Sequence, residues 1–447
     1  MIGLLQNSLE RINSLHNYYD QELKSITRRA SKEMKINRFG YLVDYYFSIL
    51  AANDKKTMEK DSFKNLEKYV KTYVTIQQPI ENGCIVYQLQ NIEVLKKVKT
   101  NLNIKEASML FRRYYDMGVI HSGNTLIMLL IRFEEFFSEV LKIIYDLYPQ
   151  KYLDNKMISY IEIQNSAPNN VRRTILDREI EMLMRDSYSK WFDILFEHKI
   201  DLSACETELK QLKELYARRN IIVHNGGIVN KAYLNQSGSN YYKIGDPVTV
   251  DEKYLKAAFN CIKIIMFTIV IQSEKLLKKG HIYFEEIFNI AFEELSSKNY
   301  LVSRSAFYLL MNHPKLSDEY HNMSRINFWI SEKETGLDRI NEIKKFDVSA
   351  LENRFKLAKL ILLEEYEEAN EIIEEEIDNN QFSVSMFEWP LFIHYIKSNS
   401  FTNLKNNKKE FFELNIFDAN NSSPNDIKIV GSSIKKEVEE SKKDEKK

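Results

Sequence analysis

Ser203-Ala204-Cys205-Glu206 opens, and Arg218-Arg219-Asn220-Ile221-Ile222-Val223-His224-Asn225-Gly226-Gly227 closes, the stretch that decides how this chain is read. Ser-x-x-Glu is a capping box: the serine oxygen can satisfy a free first-turn amide while the glutamate reaches back to the serine amide. Leu209, Leu212, Leu215 or Tyr216, Arg219 and Ile222 or Val223 follow at helical spacing. Gly226-Gly227 supplies the left-handed residue that closes a helix. The spacing predicts one capped helix with arginines, an asparagine and a histidine crowded into its last two turns.

The rest of the chain points the same way. With only 12 Gly and 7 Pro in 447 residues, turns are scarce and helices should be long. Period-two alternation is rare, so the expected fold class is all-α with little sheet. The length calls for two or three domains. Leu126, Leu129, Leu130, Phe133, Phe136, Phe137, Val140 and Leu141 form one wide apolar face of a helix from Thr125 to about Tyr148, which Pro149 ends. His121-Ser122-Gly123-Asn124 reads as a break before it, and Ser166-Ala167-Pro168-Asn169-Asn170 as a later one. Helices are expected over Phe39 to Ala52, Asp61 to Val74, residues 92–117, Val171 to Arg185 and Tyr188 to Phe196. A turn at Asn82-Gly83 leads into a short strand at Cys84-Ile85-Val86-Tyr87, and Val248-Thr249-Val250 is a second strand candidate. Asp251 caps a long apolar helix to about Lys279.

These punctuations divide the chain into an N-terminal helical region over 1–115, a helical bundle over 116–280, a C-terminal helical region over 281–420 and a charged, disordered tail over 421–447. Ile2, Leu5, Leu9, Ile12, Tyr19, Leu23 and Ile26 make a heptad-like stripe with His16 in the missing slot. It fits a partner-binding helix or an amphipathic helix packed on its own chain; the polar slot favours the second. Ala358 and Ala369 around Tyr366 resemble the helix pairs of tetratricopeptide-like repeats, with a possible earlier copy through Ile326 to Ile343. A plain bundle fits equally well.

Charge and cysteine usage narrow the functional classes. The net charge of -1 gives no global nucleic-acid footprint, and Ile161 to Asn230 holds 10 Lys/Arg against 11 Asp/Glu. Cys84, Cys205 and Cys261 are odd in number and far apart, so a reducing, cytoplasmic setting is expected. Glu10 and Arg11 break the first apolar pattern, which is not that of a signal peptide. Ala257 to Gln272 is interrupted by Asn260 and Lys263 and falls short of the ~20 apolar residues of a membrane span. No phosphate-binding glycine loop, dinucleotide fingerprint or nucleophile elbow occurs. His16, His121, His198, His281, His313, His321 and His394 lack metal-ligand spacing, and the nine carboxylates of Glu364 to Asp378 read as a solvated helix face; no metal and no cofactor is expected.

What remains is the chemistry at the end of the 203–225 helix. RNA carries its own nucleophile, the 2′-hydroxyl, and its cleavage needs proton transfer and positive charge near the phosphate. An imidazole, as at His224, suits the first. Arg219 is a permanent two-pronged cation for the second. Asn220 can orient either by hydrogen bonds. Asn220 and His224 lie within ~40° of each other around a helix, whereas Arg219 and His224 are ~140° apart. The long arginine can wrap, the helix can loosen before Gly226, or two copies can complete each other. Singly, each residue also has an ordinary use: Arg219 in an ion pair, His224 at a helix C-terminus, Asn225-Gly226 as a cap.

Arg219-Asn220-x-x-x-His224 resembles the R-N-x-x-x-H signature of the HEPN superfamily, and Asn225-Gly226-Gly227-Ile228-Val229-Asn230 resembles its continuation in a branch from bacterial defence and toxin systems. Arg218 also satisfies the family's looser spacing. The resemblance spans about 116–280 and implies an α-bundle that homodimerises with its motifs in one cleft. It implies metal-independent endoribonuclease activity by 2′-hydroxyl attack, in a toxin or anti-phage, abortive-infection role. Arg219, Asn220 and His224 would be catalytic, and Arg218 and Asn225 would contact the substrate RNA. Some HEPN domains are non-catalytic. The alternative is therefore a dimeric scaffold whose C-terminal helices bind a protein partner.

Overall fold

The computed structural model describes residues 1–36, 42–43, 45–46, 49–50, 55–79, 85–89, 104–154, 156–165, 170–277 and 281–413. Of the sequence expectations, most of the 39–52 helix, the Asn82-Gly83 turn with Cys84, residues 92–103, Ser166 to Asn169 and the 421–447 tail lie outside them. The fold is all-α. Its main helices are α1 (Ile2–Ile36), α2 (Asp61–Tyr73), α3 (Ile104–Leu147), α4 (Val171–Met184), α5 (Tyr188–Glu197), α6 (Glu206–Asn225), α7 (Lys231–Ser237), α8 (Glu252–Gln272), α9 (His281–Ser296), α10 (Tyr300–Met311), α11 (Asp318–Glu334), α12 (Asn353–Leu363), α13 (Tyr366–Asp378) and α14 (Asn399–Asn407). The one sheet among the described residues is an antiparallel hairpin, β1 (Val74–Pro79) with β2 (Ile85–Leu89), in which Ile76 pairs with Tyr87.

By internal contacts the chain forms two compact units. One holds residues 1–9, 133–212 and 259–447; the other holds 10–132 and 213–258. The expected boundary at 115/116 falls inside α3.

Two expected punctuations are corrected. His121-Ser122-Gly123-Asn124 does not break the chain: α3 runs through it for 44 residues. The small residues serve contact with other helices. A Cβ on Gly123 would lie 3.6 Å from Ile222 Cγ2 of α6. Ser122 is buried with its Oγ 3.4 Å from the Tyr19 hydroxyl, and the His121 ring stacks on Tyr19 at 5.1 Å. Nor does Ser203 cap α6. Residues Ser203–Cys205 form a 3-10 turn, and the Ser203 amide donates to Asp201 Oδ1 at 2.9 Å, so the aspartate does the work expected of the serine. Val248 to Val250 forms no strand; only Pro247 makes a bridge, to Ile228.

The amphipathic readings hold. Leu5, Leu9, Ile12, Tyr19 and Ile26 of the α1 stripe are buried. So is every named apolar residue of α3 from Leu126 to Leu141, with Phe137 against Phe192 at 4.9 Å and Trp191 at 5.8 Å. Each such side chain removed from water contributes about 1.5–3 kcal/mol. Asp251 caps α8 as expected, its Oδ1 accepting from the Tyr254 amide at 2.7 Å. Together with Glu274–Leu277, α8 is long and apolar enough to cross a membrane, yet 78% of its apolar window is buried within the protein. Lys263, which interrupts that window, is itself buried: its Nζ donates to both carboxylate oxygens of Glu294, at 3.1 and 2.9 Å. Asn299 donates a further bond to Glu294, so the buried charges are paired and hydrogen-bonded.

Toward the C-terminus the helices pack as hairpins. α10 and α11 run antiparallel, joined by a Ser303–Ser331 hydrogen bond of 2.9 Å and a Tyr308–Phe328 ring contact. α12 and α13 are joined by Asn353 to Glu376 at 2.9 Å. The two pairs do not match in form. The expected earlier copy, 326–343, covers part of a 17-residue helix and part of a six-residue one, Ile340–Lys345; α12 and α13 have 11 and 13 residues.

Two predictions follow from this packing. Gly123→Ala should be tolerated or should raise the thermal midpoint, because the new methyl finds ordinary contact with Ile222 and helix propensity gains about 1 kcal/mol. Gly123→Leu should overpack the contact and cost about 1–3 kcal/mol, seen as a lower midpoint. Burial pushes the Cys205 thiol up to about 12 and the Cys261 thiol well above its usual value. Both should therefore resist iodoacetamide at pH 8 in native protein and react after denaturation, read by peptide mass spectrometry.

Candidate functional site

The C-terminal half of α6 is held on two sides. Ala217 and Ile221 face a core of Val229, Tyr233 and Val248, while Ile222 meets Gly123 of α3. Gly226 and Gly227 take positive φ of 60° and 77°, which only glycine adopts without strain, and the Gly227 amide donates back to Ile221 O at 2.9 Å. A backbone clasp then ties the helix end to residues 245–248. Val248 N donates to Gly227 O, Val229 N to Asp246 O, and Gly245 N to Val229 O, at 2.8, 2.9 and 2.9 Å.

Beneath the helix lies a cluster that the sequence reading missed. Arg218 is buried, with 6% of its surface exposed. Its Nε donates to Glu214 Oε1 at 2.7 Å, its Nη1 to Thr249 O at 2.6 Å, and its Nη2 to the Tyr233 and Tyr242 hydroxyls at 3.3 and 3.4 Å. The guanidinium sits 4.0 Å from the Tyr254 ring centroid. Glu214 in turn accepts from Tyr233 at 2.7 Å and from Tyr254 at 2.6 Å. Burial opposes the Arg218 charge, but Tyr254 and Glu214 outweigh it and its pKa is raised. Burial, then the Glu214 charge, pushes the Tyr254 hydroxyl up; burial, then the hydrogen bond to Glu214, does the same for Tyr233. These tyrosines stay neutral donors. Glu214 and Arg218 stand one helical turn apart, a visible signal for a pair. Nothing local links them to Tyr233, Tyr242 and Tyr254.

The motif residues are thereby sorted. Arg218, expected to contact RNA, is committed to the interior, with four of its five N–H donors in these bonds. Arg219 is half-buried, with its guanidinium 5.5 Å from the Tyr216 ring centroid. Asn220 is half-buried, and His224 is exposed one turn later on the same face. Asn225, the other expected RNA contact, is exposed, but its Nδ2 donates to Ile228 O at 2.6 Å, which makes it part of the helix cap. The structure keeps Asn220 and His224 together and leaves Arg219 around the helix from His224. An exposed imidazole with an amide on the same helix face and a cation farther round the helix can shuttle a proton and attract a phosphate. Among the described residues no group of three or more His, Cys, Asp or Glu could hold a metal ion.

Compared with known family models, with characterised proteins and with solved structures, the chain matches none.

Adjacent arginines should behave differently. Arg218→Ala strands the Glu214 carboxylate and should cost about 3–5 kcal/mol, lowering the thermal midpoint sharply. Arg219→Ala should cost less than about 1 kcal/mol in the same melt.

Proposed function

We propose that this chain is a cytoplasmic endoribonuclease of HEPN type that cuts RNA through its own 2′-hydroxyl. The observation that carries this reading is the exposure of His224 at a helix end clasped by backbone hydrogen bonds, one turn from Asn220 and on the same helix as Arg219, on the motif spacing of that superfamily. In the proposed reaction the 2′-oxygen attacks phosphorus and the bond to the 5′-oxygen breaks. The products are a 2′,3′-cyclic phosphate and a 5′-hydroxyl end. His224 moves the proton between the two oxygens or stabilises the charge that develops, Arg219 neutralises the non-bridging oxygens, and Asn220 orients the imidazole or the phosphate. Every part is supplied by side chains and substrate, so the reaction is proposed to need no metal. A homodimer fits the wide angle between Arg219 and His224, since each copy can supply what the other lacks. A toxin or anti-phage role is part of the same proposal and follows from the resemblance alone.

A second reading has two observations in its favour: the chain's net charge is -1, and its C-terminal helices pack as hairpins. In that reading the protein is a non-catalytic scaffold.

Incubation of the purified full chain with total tRNA and with a mixed RNA pool, in EDTA, separates the two. Wild type should cleave, and His224→Ala and Arg219→Ala should each lose about 100-fold or more in rate while melting as wild type does. Unchanged cleavage by His224→Ala would sink the catalytic assignment. A folded wild type that leaves both RNA pools intact would favour the scaffold.

A further inference from the structure

Residues 238–246 form a loop with two neighbouring tyrosines in opposite roles. Tyr242 points inward: its hydroxyl accepts from Arg218, and its ring lies edge-on to Tyr233 at 6.1 Å. Tyr241 points outward and is 96% exposed, and Ile244 is 66% exposed. A lone exposed apolar residue is ordinary. Here, however, two large side chains flank Lys243 at the tip of a loop whose backbone is pinned. The Tyr241 amide donates to Ser239 Oγ at 3.2 Å, the Lys243 amide to Asp246 Oδ2 at 2.7 Å, and Gly245, at φ 96°, donates to Val229 O. The same clasp closes α6, so the loop is rooted five residues beyond His224. Within 238–246 the charged residues are Lys243 and Asp246, and Asp246 is already turned to the loop's own backbone.

An exposed aromatic ring on a pinned backbone, beside a lysine and on a loop clasped to the end of the helix that carries His224, has the makings of a stacking platform for an unpaired base. We propose that the 238–246 loop is a base-stacking finger. The Tyr241 ring takes a nucleobase of single-stranded RNA beside the phosphate at His224, and Lys243 holds an adjacent phosphate. The inference rests on the ribonuclease reading and adds its substrate class: unpaired RNA, chosen with little regard to sequence, since every base has a face to stack. The bracing of Tyr242 by Arg218 is what keeps Tyr241 presented.

The test is fluorescence anisotropy of the full chain with an end-labelled, mixed-sequence, 2′-O-methyl oligoribonucleotide, single-stranded or annealed to its complement. Blocking the 2′-hydroxyl separates binding from cleavage. Tyr241→Ala should weaken single-strand binding about 5- to 100-fold, with Tyr241→Phe within about twofold of wild type. Lys243→Ala should reduce the slope of log affinity against log salt by about 0.7. Equal losses on duplex and single strand would overturn the finger, because a paired base cannot stack on the ring. If Tyr241→Ala binds as wild type while wild type cuts RNA and His224→Ala does not, the finger falls and the ribonuclease reading stands. If wild type neither binds the single strand nor cuts RNA, both fall. Tyr241 and Lys243 are exposed, so matched melting curves confirm that any loss is not unfolding.

Discussion

A guanidinium taken out of water must have its donors satisfied, and Arg218 imposes that demand on everything around it. Glu214 is placed one turn earlier to balance the charge. Thr249 must bring its carbonyl within reach, which fixes the segment leading into α8. Tyr233 from α7, Tyr242 from the loop and Tyr254 from α8 all turn toward the same point. One buried charge thus draws together α7, the loop and the start of α8, all within residues 233–254. The backbone clasp from Gly227 to Val248 closes the arrangement from the other side. The position of His224 is a consequence: the helix that carries it cannot shift without unpairing a buried ion.

How far the sequence could be read depends on the range of the forces involved. Helix content, the α1 stripe and the apolar face of α3 were legible because the signal repeats within one element and burial follows the repeat. The cap at Asp251 and the glycine stop at Gly226-Gly227 were legible because capping is local. Ser122-Gly123 misled because small residues have two uses. They end helices, and they let helices approach closely; only the Ile222 contact from α6 shows which applies. Lys263 was legible only in part. In sequence it is a polar flaw in an apolar helix, and its meaning lies 31 residues away, at Glu294.

The motif itself shows the same limit. Spacing alone made Arg218 and Arg219 interchangeable. Three dimensions separate them, since neighbouring positions on a helix differ by about 100° and the core lies on one side only. Asn225 likewise looked chemical in sequence and is taken up by the turn that follows it. The motif residues not taken up by the core cluster or the cap are fewer than the motif suggested: Arg219 and Asn220, half-buried, and His224, exposed.

That economy has a physical logic. A group that transfers protons must reach solvent and substrate, so it cannot also be packed; a group that sets geometry must be packed, so it cannot also react. Consecutive residues on a helix divide these duties at no cost in chain length, one turned to the core and the next away from it. The Arg218–Arg219 pair does so on α6, and Tyr242–Tyr241 does so on the adjoining loop. In both pairs the inward member is bound to the same Glu214-centred cluster. Such a cluster fixes the backbone beneath its neighbours, so that an exposed imidazole and an exposed ring are carried on defined supports.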